Sequence, residues 1–182
     1  MAERTPVAEQ PLVEDAKATP WAEARERLAN PERDRTYWLA TVRPDGRPHV
    51  VPLLGLWLDD AFYFLTGETT RRGKNLAGNA QCAMTVSSQT LPALDLIVEG
   101  ECRKVSNDAT LQRVAAAYQA TMDWPLTVRD GAVFGPSAPT AGPPPYAFFK
   151  LAPTTVFGLP GIAGTEEGVG KAGSFTPTRW RF

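Results

Sequence analysis

The residues of this chain best suited to chemistry lie in one short stretch, Thr69-Thr70-Arg71-Arg72-Gly73-Lys74-Asn75. Arg71, Arg72 and Lys74 lie close together in sequence, two threonines precede them, and a helical pattern takes over after Thr70. The first amides of a helix have no intrahelical partner and carry partial positive charge, so cations placed there build a site for an anion. Arg can hold two phosphate oxygens at once, Thr66 and Thr70 supply hydroxyl donors, and Gly73 lets the backbone pass close to a ligand. This is chemistry suited to a phosphate. Taken without its surroundings, the same string also suits a solvated basic turn.

Other chemistries are poorly supplied. His49 is the only histidine, which excludes a histidine-rich metal site, and an isolated His in a strand suits a hydrogen-bonded structural role better than acid–base work. No Ser-His-Asp, Walker-type or metal-ligand arrangement is present, so no catalytic residue and no metal ligand is assigned. Cys82 and Cys102 fall in apparent strands without metal spacing and read as small core residues. The formal net charge of -1 over 182 residues argues against broad binding to nucleic acid or to an anionic membrane, because both depend on an excess of Lys and Arg. The opening MAERTPVAEQPLVEDAKATP has no apolar core of a signal peptide, and no later run is long enough to span a bilayer. The expectation is a cytoplasmic protein.

The elements that must position the basic stretch are mostly strands. Residues 1–20, rich in Ala, Pro, Glu and Thr, predict a flexible N-terminal arm, and 21–182 a single domain. A helix is predicted at Trp21–Leu28. Strands follow at Tyr37–Val42 and, after the turn Arg43-Pro44-Asp45-Gly46-Arg47, at Pro48–Leu53. Leu54–Leu58 continues extended, Asp59-Asp60 turns the chain, and Ala61–Thr66 is aromatic and β-prone. After Thr70 the pattern turns helical, with Lys74-Asn75-Leu76-Ala77 leading to a stop at Asn79. Strands are predicted at Gln81–Ser87 and Leu94–Val105, then a helix capped by Asn107 or Asp108 and ended by Pro125. The Gly- and Pro-rich stretch 130–145 predicts a loop, strands return at Tyr146–Leu151 and Thr154–Gly158, and a second Gly-rich loop covers 158–173. Tyr37, Trp38, Trp57, Phe62, Tyr63 and Phe64 read as core or subunit contact, and Glu99 as outward-facing. About six strands with few helices fit a mainly β, closed antiparallel barrel.

The succession RPHVVPL, YFLTGETTRRGKNL, DLIVEGE and a terminal TRWRF resembles the pyridoxamine-phosphate-oxidase-like, FMN-binding split-barrel flavoproteins over roughly residues 33–182. Thr70-Arg71-Arg72-Gly73-Lys74-Asn75-Leu76 is similar to the family's Ser/Thr-Arg-Lys-x-Lys-x-Leu, with Arg72 in place of a lysine. The resemblance implies a six-stranded antiparallel split barrel, a homodimer, and a flavin or deazaflavin in the groove between subunits. It implies that Arg71, Arg72 and Lys74 contact the cofactor phosphate, beside Asn75, and that Leu65, Thr66 and Thr70 line the ribityl chain. His49, Val50, Val51, Pro52 and Leu53 would follow the ring edge, Asp95 would lie near the cofactor, and Trp180 and Arg181, or Arg179 instead, would reach the ring from the partner chain. The Arg-Leu-His-type segment of the vitamin B6 oxidases is replaced by Thr178-Arg179-Trp180-Arg181, which argues against that substrate. What remains is an oxidoreductase acting on a small organic substrate with the deazaflavin coenzyme F(420) or with FMN; the pattern leans to the deazaflavin, whose glutamate tail would call on Arg43, Arg47 or Arg179. A non-catalytic flavin carrier, or a haem binder using His49, is the other class.

Overall fold

The computed structural model describes residues 4–30, 36–88, 93–138, 140–160 and 175–182. In chain order the elements are β1 (Ala8–Pro11), α1 (Trp21–Ala29), β2 (Tyr37–Val42), β3 (Pro48–Leu53), β4 (Gly55–Leu58), β5 (Ala61–Thr66), α2 (Arg71–Gly78), β6 (Gln81–Val86), β7 (Leu94–Lys104), α3 (Asp108–Met122), β8 (Thr127–Arg129), β9 (Ala132–Phe134), β10 (Ala147–Pro160) and β11 (Thr178–Arg181). The fold is mainly β, a split barrel with three helices among the described residues. Nine strands share one antiparallel sheet, rather than the expected six, and β8 and β9 form a separate hairpin.

The split follows from β10. Its residues 149–160 pair with β7, while on its other side it exchanges β5, paired at 147–151, for β11, paired at 155–158. The register shifts between Pro153 and Thr155. Pro153 has no N–H to donate, which suits the irregular position and explains why the run is one bent strand and not the two expected.

Alternation along β2, β6 and β7 turns Tyr37, Leu39, Met84, Val86, Leu96 and Val98 inward, where they join Phe62, Phe64 and Trp180 in the barrel core. β5 is buried at all six positions. Phe62 and Phe64 face the barrel, whereas Tyr63 and Leu65 meet a second core built on Leu111, Val114 and Tyr118 of α3. An unbroken apolar strand is what burial on both faces requires. Asp59 and Asp60, both at positive φ, form the two-residue turn that folds β4 back on β5.

The N-terminal segment departs from expectation. Residues 8–11 are not part of a flexible arm but form β1, which pairs with β11. The Thr19 hydroxyl donates to the Thr176 carbonyl at 2.9 Å, and the Trp180 indole N–H donates to the Thr19 carbonyl at 3.1 Å. Trp21 of α1 closes the barrel against Trp57, Trp180 and Phe182. Residues 132–134, expected as loop, are strand β9; of the loop expected at 158–173, residues 158–160 belong to β10, where they pair with β7, and 161–173 lie outside the described residues.

Trp180 is fully buried, and its ring stands 2.6 Å from where a Cβ on Gly158 would lie. Trp180→Ala is expected to cost about 3–5 kcal/mol, the usual range for deleting a buried large aromatic side chain. Urea unfolding of the variant beside the parent checks this.

Candidate functional site

Thr70 caps α2: its hydroxyl accepts from the Gly73 N–H at 3.1 Å and donates to the Gly67 carbonyl at 2.8 Å. A Cβ at Gly73 would come within 2.6 Å of the Gly67 oxygen and 2.8 Å of the Glu68 oxygen. Gly73 is therefore needed for approach to the chain's own turn, and not for approach to a ligand as expected. The Thr66 hydroxyl lies 3.0 Å from that of Thr70 and is buried, so both hydroxyls are engaged within the turn.

Helical spacing divides the basic run. Arg71 and Lys74, three apart, share an exposed face; Arg72 and Asn75, also three apart, share a buried one. Asn75 Nδ2 donates at 3.0 Å to the Thr41 hydroxyl of β2, and that hydroxyl donates to the His49 carbonyl of β3 at 3.3 Å. This tie holds α2 across the end of the β2–β3 pair and brings His49 near the cations. Burial lowers the His49 pKa, and Arg43, Arg71 and Arg72 lower it further. No described ion pair includes Arg43, Arg71, Arg72 or Lys74. Arg47, by contrast, is tied to Asp45 at 2.8 Å.

Arg72 is 2% exposed. Its Nη2 donates to the Leu65 and Thr140 carbonyls at 3.4 and 3.3 Å, while Nε and Nη1 have no partner. It forms part of the wall of a pocket of about 250 Å³ that also includes Pro52, Leu53, Leu54, Leu65 and Trp124.

β3 ends the sheet and pairs only with β2. The Arg43 N–H bonds to the Arg47 carbonyl, and antiparallel alternation from that pair directs the main-chain groups of residues 48, 50 and 52 to the free edge. Pro48 and Pro52 have no N–H, so the edge offers the Val50 amide and neighbouring carbonyls. Thr41 ties Asn75 to His49 of the edge strand, Arg72 shares the pocket with Pro52, Leu53 and Leu65, and Arg71 and Arg72 act on His49; Val50 and Val51 lie between His49 and Pro52 on β3, and Lys74 lies on the exposed face of α2 with Arg71.

The remaining candidates lie apart. Asp95 accepts the Ser88 amide at 2.8 Å, five residues along β7 from Gly100, which shares a row with Cys82, Thr41 and His49. Trp180 is enclosed in its own barrel core, so its ring is not available to a partner's cofactor; Arg181 is exposed on β11. Sequence reasoning passed over Thr41 and Trp124. Thr41 had a signal, a polar residue at an inward position of an alternating strand; Trp124 had none beyond its type.

Residues 21–159 match the family model described as pyridoxamine 5'-phosphate oxidase. The chain belongs to the pyridoxamine 5'-phosphate oxidase family. Over 103 residues it is 40% identical to the pyridoxine/pyridoxamine 5'-phosphate oxidase of Pseudomonas paraeruginosa, a match covering 55% of this chain and 43% of that enzyme. The chain thus matches less than half the length of that relative. Among solved structures, an F(420) reductase is 25% identical with a TM-score of 0.52, over 72% of this chain and 94% of its own. A pyridoxamine 5'-phosphate oxidase-related, FMN binding protein from Nostoc punctiforme shares the fold at 23% identity and a TM-score of 0.52, over 80% of this chain and 87% of its own. Cations with no ion pair among the described residues, beside an open strand edge, fit a phosphate-bearing planar cofactor. No described helix is long and apolar enough to cross a membrane, and no described cluster of His, Cys, Asp or Glu could hold a metal.

Because the folded His49 pKa lies below its ordinary 6.5, the unfolded chain takes up that proton first as pH falls. Stability is full above about pH 6.5 and is lost as pH drops through the folded value. His49→Gln is expected to flatten the fall in melting temperature between about pH 7 and pH 5, a difference read from paired melts.

Proposed function

We propose that this family member is an oxidoreductase holding a flavin-type cofactor, with its phosphate at the start of α2 and its ring along the free edge of β3. Coenzyme F(420) is the preferred cofactor and FMN the second. The observation that carries the reading is the group of cations with no described ion pair, Arg43, Arg71, Arg72 and Lys74, gathered near the open edge of β3 and a largely apolar pocket. When bound, the cofactor supplies hydride transfer to or from a small organic substrate.

The chain's own residues then bind and orient. Arg71 and Lys74 hold the phosphate from the exposed face of α2, assisted by the unpaired first-turn amides. The Val50 N–H and adjacent carbonyls offer directional bonds to the ring's polar edge. Arg43, whose Nε is buried without a partner, stands ready for the additional negative charge of a deazaflavin tail, whereas Arg47 is held by Asp45.

A second copy of the chain completes the groove. The outward face of the sheet carries Trp38, Val50, Pro52, Ile97, Phe157 and Leu159, with Trp38 48% and Val50 54% exposed. Large apolar side chains gathered on one sheet face in this way support a subunit interface there. It adjoins the β3 edge, so the partner would cover the ring from the other side.

Separate titrations of the purified apo-protein with FMN and F(420) test the cofactor. Tighter binding of F(420) is expected; tighter FMN binding would make FMN the cofactor, and binding of neither would end the flavin reading. Arg71→Ala with Lys74→Ala is expected to weaken cofactor binding by about 2–4 kcal/mol with the melting temperature retained, two exposed charge-assisted contacts being lost. Trp38→Glu with Val50→Glu is expected to give a monomer by light scattering and to lose cofactor affinity. A dimer that persists would place the interface elsewhere.

A further inference from the structure

A guanidinium taken out of water is costly unless a counter-charge and hydrogen bonds replace its hydration. Arg72 is enclosed by its own protein, yet two of its three nitrogens have no partner and no described carboxylate pairs with it. The titratable groups that act on it are Tyr118 and Cys102. The Tyr118 hydroxyl is held protonated by burial, and the Cys102 thiol by its contact with Cys82 and by burial. Neither supplies negative charge. Burial pushes the Arg72 pKa down to about 10, which leaves it charged at neutral pH. Beyond the Leu65 and Thr140 carbonyls that accept from Nη2, its compensation is the face of Phe64, with its centroid 5.9 Å away, at the outer limit for a cation–π contact.

This unmatched cation stands in a wall that is otherwise apolar but for Thr36 and Thr140. Trp124 lies one residue beyond Asp123, whose left-handed conformation ends α3, and its ring is set edge-on against Tyr118 at 6.0 Å. The Tyr118 hydroxyl in turn donates to the carbonyls of Leu54 and Tyr63, at 3.2 Å each. These contacts hold Trp124 and the exposed Leu54 on the pocket that Arg72 enters. Pro52 and Leu53 line the same pocket and also end β3, so a molecule bound there would touch the proposed ring position.

We propose that the pocket takes a small organic acid, a carboxylate on a flat apolar body of one or two rings, with the charge held by Arg72 and the body against Trp124, Leu54 and Pro52. That this acid is the cofactor's substrate rests on the proposed function; that the pocket binds it does not. The assignment separates Arg72 from the phosphate grip of Arg71 and Lys74.

The test uses the full chain, with 1-naphthoate and its neutral analogue 1-naphthamide as probes in calorimetric titrations. Naphthoate is expected to bind at least tenfold tighter than naphthamide. Arg72→Met should abolish that preference, Arg72→Lys should keep part of it, and Trp124→Ala should weaken both probes. Arg71→Ala with Lys74→Ala should leave naphthoate affinity within about twofold while weakening the flavin cofactor. Without ligand, Arg72→Met should melt at or above the parent temperature, because an uncompensated buried cation has been removed; a purely structural arginine would give a lower one. Equal binding of the two probes, unchanged naphthoate affinity in Arg72→Met or Trp124→Ala, or loss of flavin but not naphthoate binding in Arg72→Met would each overturn the proposal. If the parent binds naphthoate as expected but neither FMN nor F(420), the cofactor reading fails and the acid pocket stands.

Discussion

The pairing of β10 is the constraint on which the rest of the molecule depends. One strand must satisfy β7 along its length while its opposite edge serves first β5 and then β11. The first exchange encloses the barrel, and the second brings the C-terminal strand and Trp180 into its core. The same pairing locates the basic turn. Thr66, the last residue of β5, stands opposite Ala147 of β10, and the next residue, Gly67, donates its N–H to the Ala141 carbonyl. α2 can begin only where that anchored turn releases the chain, beside β2 and the open edge of β3.

Two cores then give α2 its unequal faces. The barrel core and the α3 core meet across β5, and Arg72 enters the seam between them, bonding the Leu65 carbonyl of β5 and the Thr140 carbonyl beyond the second hairpin. Asn75, one turn later, reaches the other way to Thr41. Its Oδ1 is left without a partner, as are two of the Arg72 nitrogens. Unsatisfied buried polar atoms are rare in native folds because each costs about 1–3 kcal/mol. Three such atoms fall on this one short helix, against single ones on Trp21 in the apolar core and on Arg43 and Arg179.

Much of this was legible from residues alone, and the exceptions share a physical cause. Tyr37–Val42, Pro48–Leu53 and Ala61–Thr66 were readable to the residue because each has turn chemistry beside it and a face to bury. β1 was not, since Ala-Glu-Gln-Pro at the sheet margin buries neither face and owes its conformation to β11, far along the chain. β10 was read as two strands because Pro153 interrupts an otherwise β-prone run, and only the paired neighbours show that the bulge absorbs it. At the site, the composition of the basic stretch is plain in the sequence but its division is not: spacing sets Arg72 and Lys74 on opposite sides of a helix, whereas only the packing shows that Arg71 stays exposed and Asn75 is buried. Gly73 was given to a ligand because sequence shows that a close approach is permitted, not what approaches.

The electrostatic character of the site is a matter of arrangement and not of total charge. With a net charge of -1, the chain has no long-range field to draw an anion, and screening at physiological salt confines any exposed charge to about 8 Å. What counts is how the cations are paired. Arg25, Arg47, Arg103, Lys104 and Arg113 each meet a carboxylate, so their charge is largely cancelled where they stand. Arg43, Arg71, Arg72 and Lys74 have no described ion pair, and three of them depress the pKa of His49. A ligand carrying negative charge would relieve that mutual repulsion as well as gain its own contacts, so its binding should draw His49 towards protonation. The same unbalanced charge that weakens the empty protein is thus a source of affinity for an anion, and it is concentrated where β3 leaves its backbone open.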